Sequence, residues 1–105
     1  MKRRHFDHFN IAGFTYYEGA LAFEHLRVGT QLKLVAEPGN IYDEHAVAIY
    51  YNNLKLGFIP IGNNKPISEL LRAGVDVFDT RVQRCSPDSH PENQVQVIVY
   101  VAREN

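Results

Sequence analysis

From Gln94 to Ala102 every second position is a valine: Val95, Val97, Val99 and Val101. An extended chain sends successive side chains to opposite faces, so these four valines share one face, which predicts a β-strand. Other runs share that character. His5 to Tyr17 carries the strand formers Phe6, Phe9, Ile11 and Phe14, with Gly13 available for a bulge or sharp bend. Gln31 to Glu37 alternates around Leu32 and Leu34 and stops at Pro38-Gly39, the pair expected in a type II turn. Ala46–Tyr51 and Leu54–Pro60 flank Asn52-Asn53, which can close a two-residue hairpin because Asn tolerates positive φ. Val75 to Cys85 is a further run of the same kind.

Two segments read as helical. Glu18 to Leu26 is rich in Ala and Leu and is closed by Gly29. A second helix is expected to start at Asn64 or Lys65 with Pro66 in its first turn. Ile67, Leu70 and Leu71 would share one face, and Gly74 would end it. Ser86 to Asn93, with two prolines, reads as an exposed loop. The expected fold class is therefore mainly β, a small six-stranded OB- or SH3-like barrel with two short helices. An open sheet would leave exposed edges. The 105 residues are expected to form a single domain.

Charge and composition narrow the function. Lys and Arg number 11 against 12 Asp and Glu, a net charge of −1. Proteins that coat duplex nucleic acid usually carry a basic excess, so here any nucleic-acid affinity must come mainly from stacking and local hydrogen bonds. No apolar run approaches the ~18 residues of a membrane span, and no secretory apolar segment follows Met1-Lys2-Arg3-Arg4-His5. A lone cysteine, Cys85, cannot form an internal disulfide, which fits a cytoplasmic location. His5 and His8 lie three apart, which in a regular strand means opposite faces, and Cys85 with His90 lacks an orienting partner. There is no C-x-x-C, H-E-x-x-H or Walker A motif. The expectation is a non-enzyme with no catalytic residues, metal or cofactor.

Gly13-Phe14-Thr15-Tyr16-Tyr17, Gly29, Leu32-Lys33-Leu34, Glu37-Pro38-Gly39-Asn40-Ile41-Tyr42-Asp43, Ala46-Val47-Ala48-Ile49 and Leu56-Gly57-Phe58-Ile59-Pro60 together resemble the HIRAN family. The likeness is strongest from His8 to Gly74. It implies a modified OB-like barrel that binds the free 3′-hydroxyl end of single-stranded DNA, in DNA repair or replication-fork processing, with repair or helicase proteins as further partners. Carried over by position, the DNA-binding roles fall on Tyr16, Tyr17, Asn40, Tyr42, Asp43 and Phe58. The tyrosines would stack on terminal bases and Asp43 would accept a hydrogen bond from the terminal hydroxyl. Thr15, Ala36 and Ile61 stand where relatives often carry a basic residue, leaving Lys33, Lys55, Lys65 and the Lys2-Arg3-Arg4 arm as candidate phosphate contacts.

Physical chemistry reads the same residues in more than one way. In a strand, Tyr16 and Tyr17 face opposite sides, so either could stack while the other enters the core. Tyr42 could bind a base or act as a lid, and Asn40 fits a turn. Asp43 could cap a helical turn over Glu44-His45-Ala46, which would also aim its carboxylate. Phe58 alternates with Leu56 and could be core. A second functional class remains open: a protein-interaction barrel that takes a peptide in the same aromatic groove.

Overall fold

The structure, a computed structural model, describes residues 2–90 and 93–103. Six antiparallel strands form one sheet: β1 (Lys2–Asn10), β2 (Gln31–Ala36), β3 (Val47–Tyr51), β4 (Leu54–Phe58), β5 (Phe78–Cys85) and β6 (Val95–Arg103). Their order is β1-β6-β5-β2-β3-β4. Two helices accompany them, α1 (Gly19–Ala22), which runs into a 3-10 turn at Phe23–His25, and α2 (Ile61–Arg72). The alternating valines behave as their spacing requires: Val95, Val97 and Val99 are buried in a core shared with Phe9, Ile11, Leu32, Leu34, Ile49, Leu56 and Ile67.

The fold is mainly β and OB-like, but the sheet is not a fully laddered barrel. Its edge strands, β1 and β4, meet through a single bridge. Past the end of β1, Ala12 N–H donates to the Phe58 carbonyl at 2.8 Å and Phe58 N–H returns the bond to Ala12 at 2.9 Å. Gly57 makes this approach possible. Its φ is 148°, and a Cβ there would overlap the Ala12 carbonyl oxygen and sit 2.7 Å from Ile11 Cγ2. Only glycine combines that dihedral with that closeness.

The first strand ends at Asn10 instead of reaching Tyr17. Gly13 takes a left-handed conformation (φ 73°, ψ 23°), and Phe14–Tyr16 turn in a 3-10 helix. Tyr16 and Tyr17 are therefore not strand neighbours on opposite faces. A bulge between His5 and Asp7 also resets the alternation of β1, so His5 and His8 are brought together, not held on opposite faces.

Turn chemistry differs in one place. Asn40 N–H bonds the Glu37 carbonyl at 3.0 Å, but Gly39 has no positive φ, so the Pro38-Gly39 turn is not of type II. The Asn52-Asn53 hairpin forms, with Asn52 at φ 52°. Helix α2 begins at Ile61, several residues before Asn64. Pro60 (φ −55°, ψ 145°) precedes it, and Pro66 falls inside the helix. The carbonyl that Pro66 leaves without an N–H partner belongs to Gly62, which is solvent-exposed, so water can replace the lost bond. Gly74 (φ 81°) ends the helix as expected. Its N–H bonds the Leu71 carbonyl and Val75 N–H bonds that of Leu70, a Schellman motif.

The Ser86–Asn93 loop begins as expected, but its second proline, Pro91, lies outside the described residues, as does Met1 of the basic N-terminal arm. Among the described residues no helix is long and apolar enough to cross a membrane.

Candidate functional site

Three chain segments meet at the Ala12–Phe58 bridge: the Gly13–Tyr17 turn, the Asn40–Ala46 loop, and the end of β4 with the start of α2. Between them lies an open cavity of about 300 Å³, lined by Tyr16, Tyr17, Asn40, Tyr42, Asp43 and Phe58 with Ala12, Gly13, Ala46, Ile59, Ile61 and Asn64. All six residues singled out in the sequence reach the same space.

They do so in different ways. Tyr16 and Tyr42 are almost bare, 81% and 91% exposed. Tyr17 is 43% exposed, and its ring meets the half-buried Phe58 edge-on, centroids 5.5 Å apart. Because Tyr16 sits in the 3-10 turn and Tyr17 directly follows it, neither enters the core and both line the cavity. Large aromatic surface left open at a concavity is uncommon on a protein that has no use for it.

The Asn40–Ala46 loop is built by its own side chains. Asn40 Oδ1 accepts from the N–H groups of Tyr42 (2.9 Å) and Asp43 (3.2 Å), which holds the loop that presents Tyr42. Asp43 Oδ1 accepts from His45 N–H at 2.8 Å, and Ala46 N–H bonds the Asp43 carbonyl at 3.1 Å. The turn that Asp43 caps is thus real, though it is not helical. The second oxygen, Oδ2, accepts from Asn64 Nδ2 at 2.7 Å. A carboxylate oxygen has more than one acceptor direction, so Asp43, which lines the cavity, keeps acceptor capacity beyond these bonds.

Asn64 was visible in the sequence only as a possible helix start. In the structure it is 3% exposed and lies on the buried stripe of α2 with Ile67 and Ser68. An amide buried among apolar neighbours needs a partner, and Asp43 is that partner. The one available signal was its spacing: with the helix begun at Ile61, Asn64, Ile67, Ser68 and Leu71 follow the i, i+3, i+4, i+7 pattern.

Beneath the Tyr17–Phe58 wall lies a second unassigned feature. Lys55 Nζ bonds Glu37 Oε2 at 2.8 Å and stands 4.4 Å from the Phe58 ring centroid and 5.1 Å from that of Tyr17. Glu37 Oε1 also accepts from Asn40 Nδ2 at 3.2 Å. Burial pushes the Glu37 carboxyl up, but the bonds from Lys55 and Asn40 and the Lys55 charge outweigh it and hold its pKa below the usual 4.5. Burial disfavours the Lys55 ammonium, yet Glu37 prevails and raises its pKa above 10.5. One line of contacts therefore ties the binding loop to the aromatic wall.

Among the lining residues there is no Lys or Arg, and Asp43 is the one charged side chain. Of the cations considered from sequence, Lys55 is engaged beneath the wall, Lys33 borders a different hollow on β2, and Arg3 pairs with Asp79 at 3.2 Å. Lys65 is exposed and absent from the lining. At Cys85, burial raises the thiol's pKa despite the opposing charge of Arg27, the reverse of what an activated nucleophile needs.

A family model described as HIRAN domain matches residues 7–102, and so runs on through β5 and β6, beyond the segment whose motifs are distinctive. Among solved structures, a protein from Lactobacillus plantarum is similar with a TM-score of 0.77 and 24% identity, covering 95% of this chain and 95% of that one. The HIRAN domain of human HLTF is similar with a TM-score of 0.66 and 15% identity, covering 97% of this chain and 81% of that one. At these identities the likeness is one of fold. No curated protein matches the chain.

Proposed function

The chain belongs to the HIRAN family of nucleic-acid-binding modules, and from that premise we propose that its cavity receives the free 3′ end of a single-stranded DNA. Tyr16 and Tyr42 stack on the terminal bases, Tyr17 and Phe58 form the wall behind them, and Asp43 accepts a hydrogen bond from the 3′-hydroxyl. Asn40 holds the loop in which Tyr42 and Asp43 sit. The observation that carries this reading is the combination of bare aromatic rings with a lone carboxylate in a cavity that has no cation in its lining.

Sign and magnitude both favour it. A site that gripped phosphates would place Lys or Arg in its wall, and a carboxylate would oppose it. At a 3′-hydroxyl there is no phosphate, so the carboxylate meets a donor, and a charge-assisted bond of that kind exceeds a neutral one. Stacking supplies about 1–3 kcal/mol per base irrespective of sequence. Such a module suits DNA repair or replication-fork processing, where motor or repair proteins would be its companions.

The missing cations also favour a second reading, a peptide bound in the same groove. NMR titration separates the two. A short single strand with a free 3′ end should shift the resonances of Tyr16, Tyr17, Asn40, Tyr42, Asp43 and Phe58, with weak dependence on salt. Shifts confined to other faces would sink the proposal. Shifts at these residues only with a proline-rich peptide would support the rival.

A further inference from the structure

The outer face of β1 carries a pair of histidines that DNA binding does not use. His5 and His8 are both exposed, and His5 Nε2 lies 2.9 Å from His8 Nδ1 with ring centroids 5.1 Å apart. The bulge creates this pair. His5 faces Tyr100, Asp7 faces Val99 and His8 faces Ile98, so Phe6 has no partner and the two imidazoles fall on the same side. Asp7 holds the bulge in place: its Oδ1 accepts from His8 N–H at 2.8 Å and its Oδ2 from Asn63 Nδ2 of α2 at 3.0 Å. Arg3, a neighbouring cation, lies over the Tyr100 ring at 4.2 Å and is neutralised by Asp79.

We propose that His5 and His8 form a bidentate imidazole site for a borderline divalent transition-metal ion of the nickel or copper kind. Imidazole nitrogens bind such ions at about 2.0–2.1 Å, so two bonds at a right angle place the nitrogens about 2.9 Å apart, whereas a tetrahedral angle needs about 3.3 Å. At 2.9 Å the two nitrogens now share a hydrogen bond, so a small rotation of each ring brings both within reach of one ion, and an exposed imidazole pair completed by water suits Cu(II) or Ni(II). The two rings would rotate until both lone pairs converge on the ion in place of the hydrogen bond between them. The bonding proton then resides on the outer nitrogens, Nδ1 of His5 and Nε2 of His8, so a neutral pair loses no proton. Asp7 holds the bulge through both oxygens, and among the described residues no group of three His, Cys, Asp or Glu is placed to hold a metal, so the pair itself supplies the protein ligands. Water completes the coordination, which makes the ion exchangeable.

The test is calorimetric titration of the untagged protein with Ni(II) at neutral pH, for the native chain and for His5→Asn, His8→Asn and the double variant. Both side chains are exposed, so the fold should persist, as the NMR spectrum will report. Each single substitution is expected to weaken binding at least about tenfold, with the double variant at least as weak as either. Binding within about twofold of the native chain in either single variant would overturn the proposal, because the ion would then sit elsewhere, as on His25 or His45, each beside a glutamate. Copper electron paramagnetic resonance of the native protein gives a second readout. Coupling to two nitrogens is expected, and coupling to one would contradict the chelate.

Discussion

The two walls of the cavity are held on opposite terms. On one side Tyr17 packs edge-on against Phe58, and Lys55, fixed by Glu37, supports both rings from below. On the other side Tyr16 and Tyr42 stand open, with no ring contact among the described residues. Folding stabilises the first wall. Among the described residues nothing covers the second, so its aromatic surface is available to a ligand. Stability and binding should therefore separate between the walls.

The largest effect is expected at Gly57, whose conformation lets the braced wall form. Gly57→Ala combines a positive φ with overlap on the Ala12 backbone and should lose about 3 kcal/mol or more of stability in chemical denaturation. A loss below about 0.5 kcal/mol would mean that the close approach at the Ala12–Phe58 bridge does not constrain the fold.

Next come the tyrosines themselves. Tyr42→Ala and Tyr16→Ala should each weaken binding of a single strand by about 1–3 kcal/mol, measured by fluorescence anisotropy. Their stability should stay within about 0.5 kcal/mol of native. Tyr17→Ala should lower both quantities, with about 1 kcal/mol of stability lost along with the ring contact. Equal destabilisation on both walls would break the comparison.

The smallest effect concerns the brace. Glu37 and Lys55 are partly exposed, so screening limits their coupling to about 0.5–1 kcal/mol in a double-mutant cycle of Glu37→Gln and Lys55→Met. Its pH window follows from the shifts. The Glu37 pKa is lowered on folding, so its contribution is present above 4.5 and is lost as pH falls through the folded value. The Lys55 pKa is raised, so its contribution is present below 10.5 and is lost as pH rises through the folded value. The coupling should be seen at neutral pH and disappear as pH falls through the folded value of Glu37. A coupling that persists in acid would assign it to packing.

Much of the molecule was legible because strand periodicity and turn residues are local signals. The valines of β6, the Asn52-Asn53 hairpin and the Gly74 helix end stand where their chemistry puts them. Motif likeness drew the six cavity residues together, although they come from separate elements. What was missed depends on partners distant in sequence or on single-residue irregularities. Gly13 turns the chain before Tyr16, and the bulge at Phe6 reverses the facing of His5, yet neither changes the apolar pattern. Pro66 suggested a helix start because proline favours the first turn, but Pro60 had already set it. The reach of Asn64 to Asp43 could not be read before the start of α2 was known.

The central claim is that a carboxylate reads a hydroxyl at a DNA terminus. Its most direct measurement is the ratio of affinities for one single strand bearing a 3′-hydroxyl or a 3′-phosphate, in the native chain and in Asp43→Asn. A phosphate about 4 Å from Asp43 would cost at least about 1 kcal/mol, so the hydroxyl end should be favoured at least about fivefold. Asp43→Asn should bring the ratio close to one while stacking persists. Equal affinity of the native chain for both ends, or a preference that survives Asp43→Asn, would contradict the account.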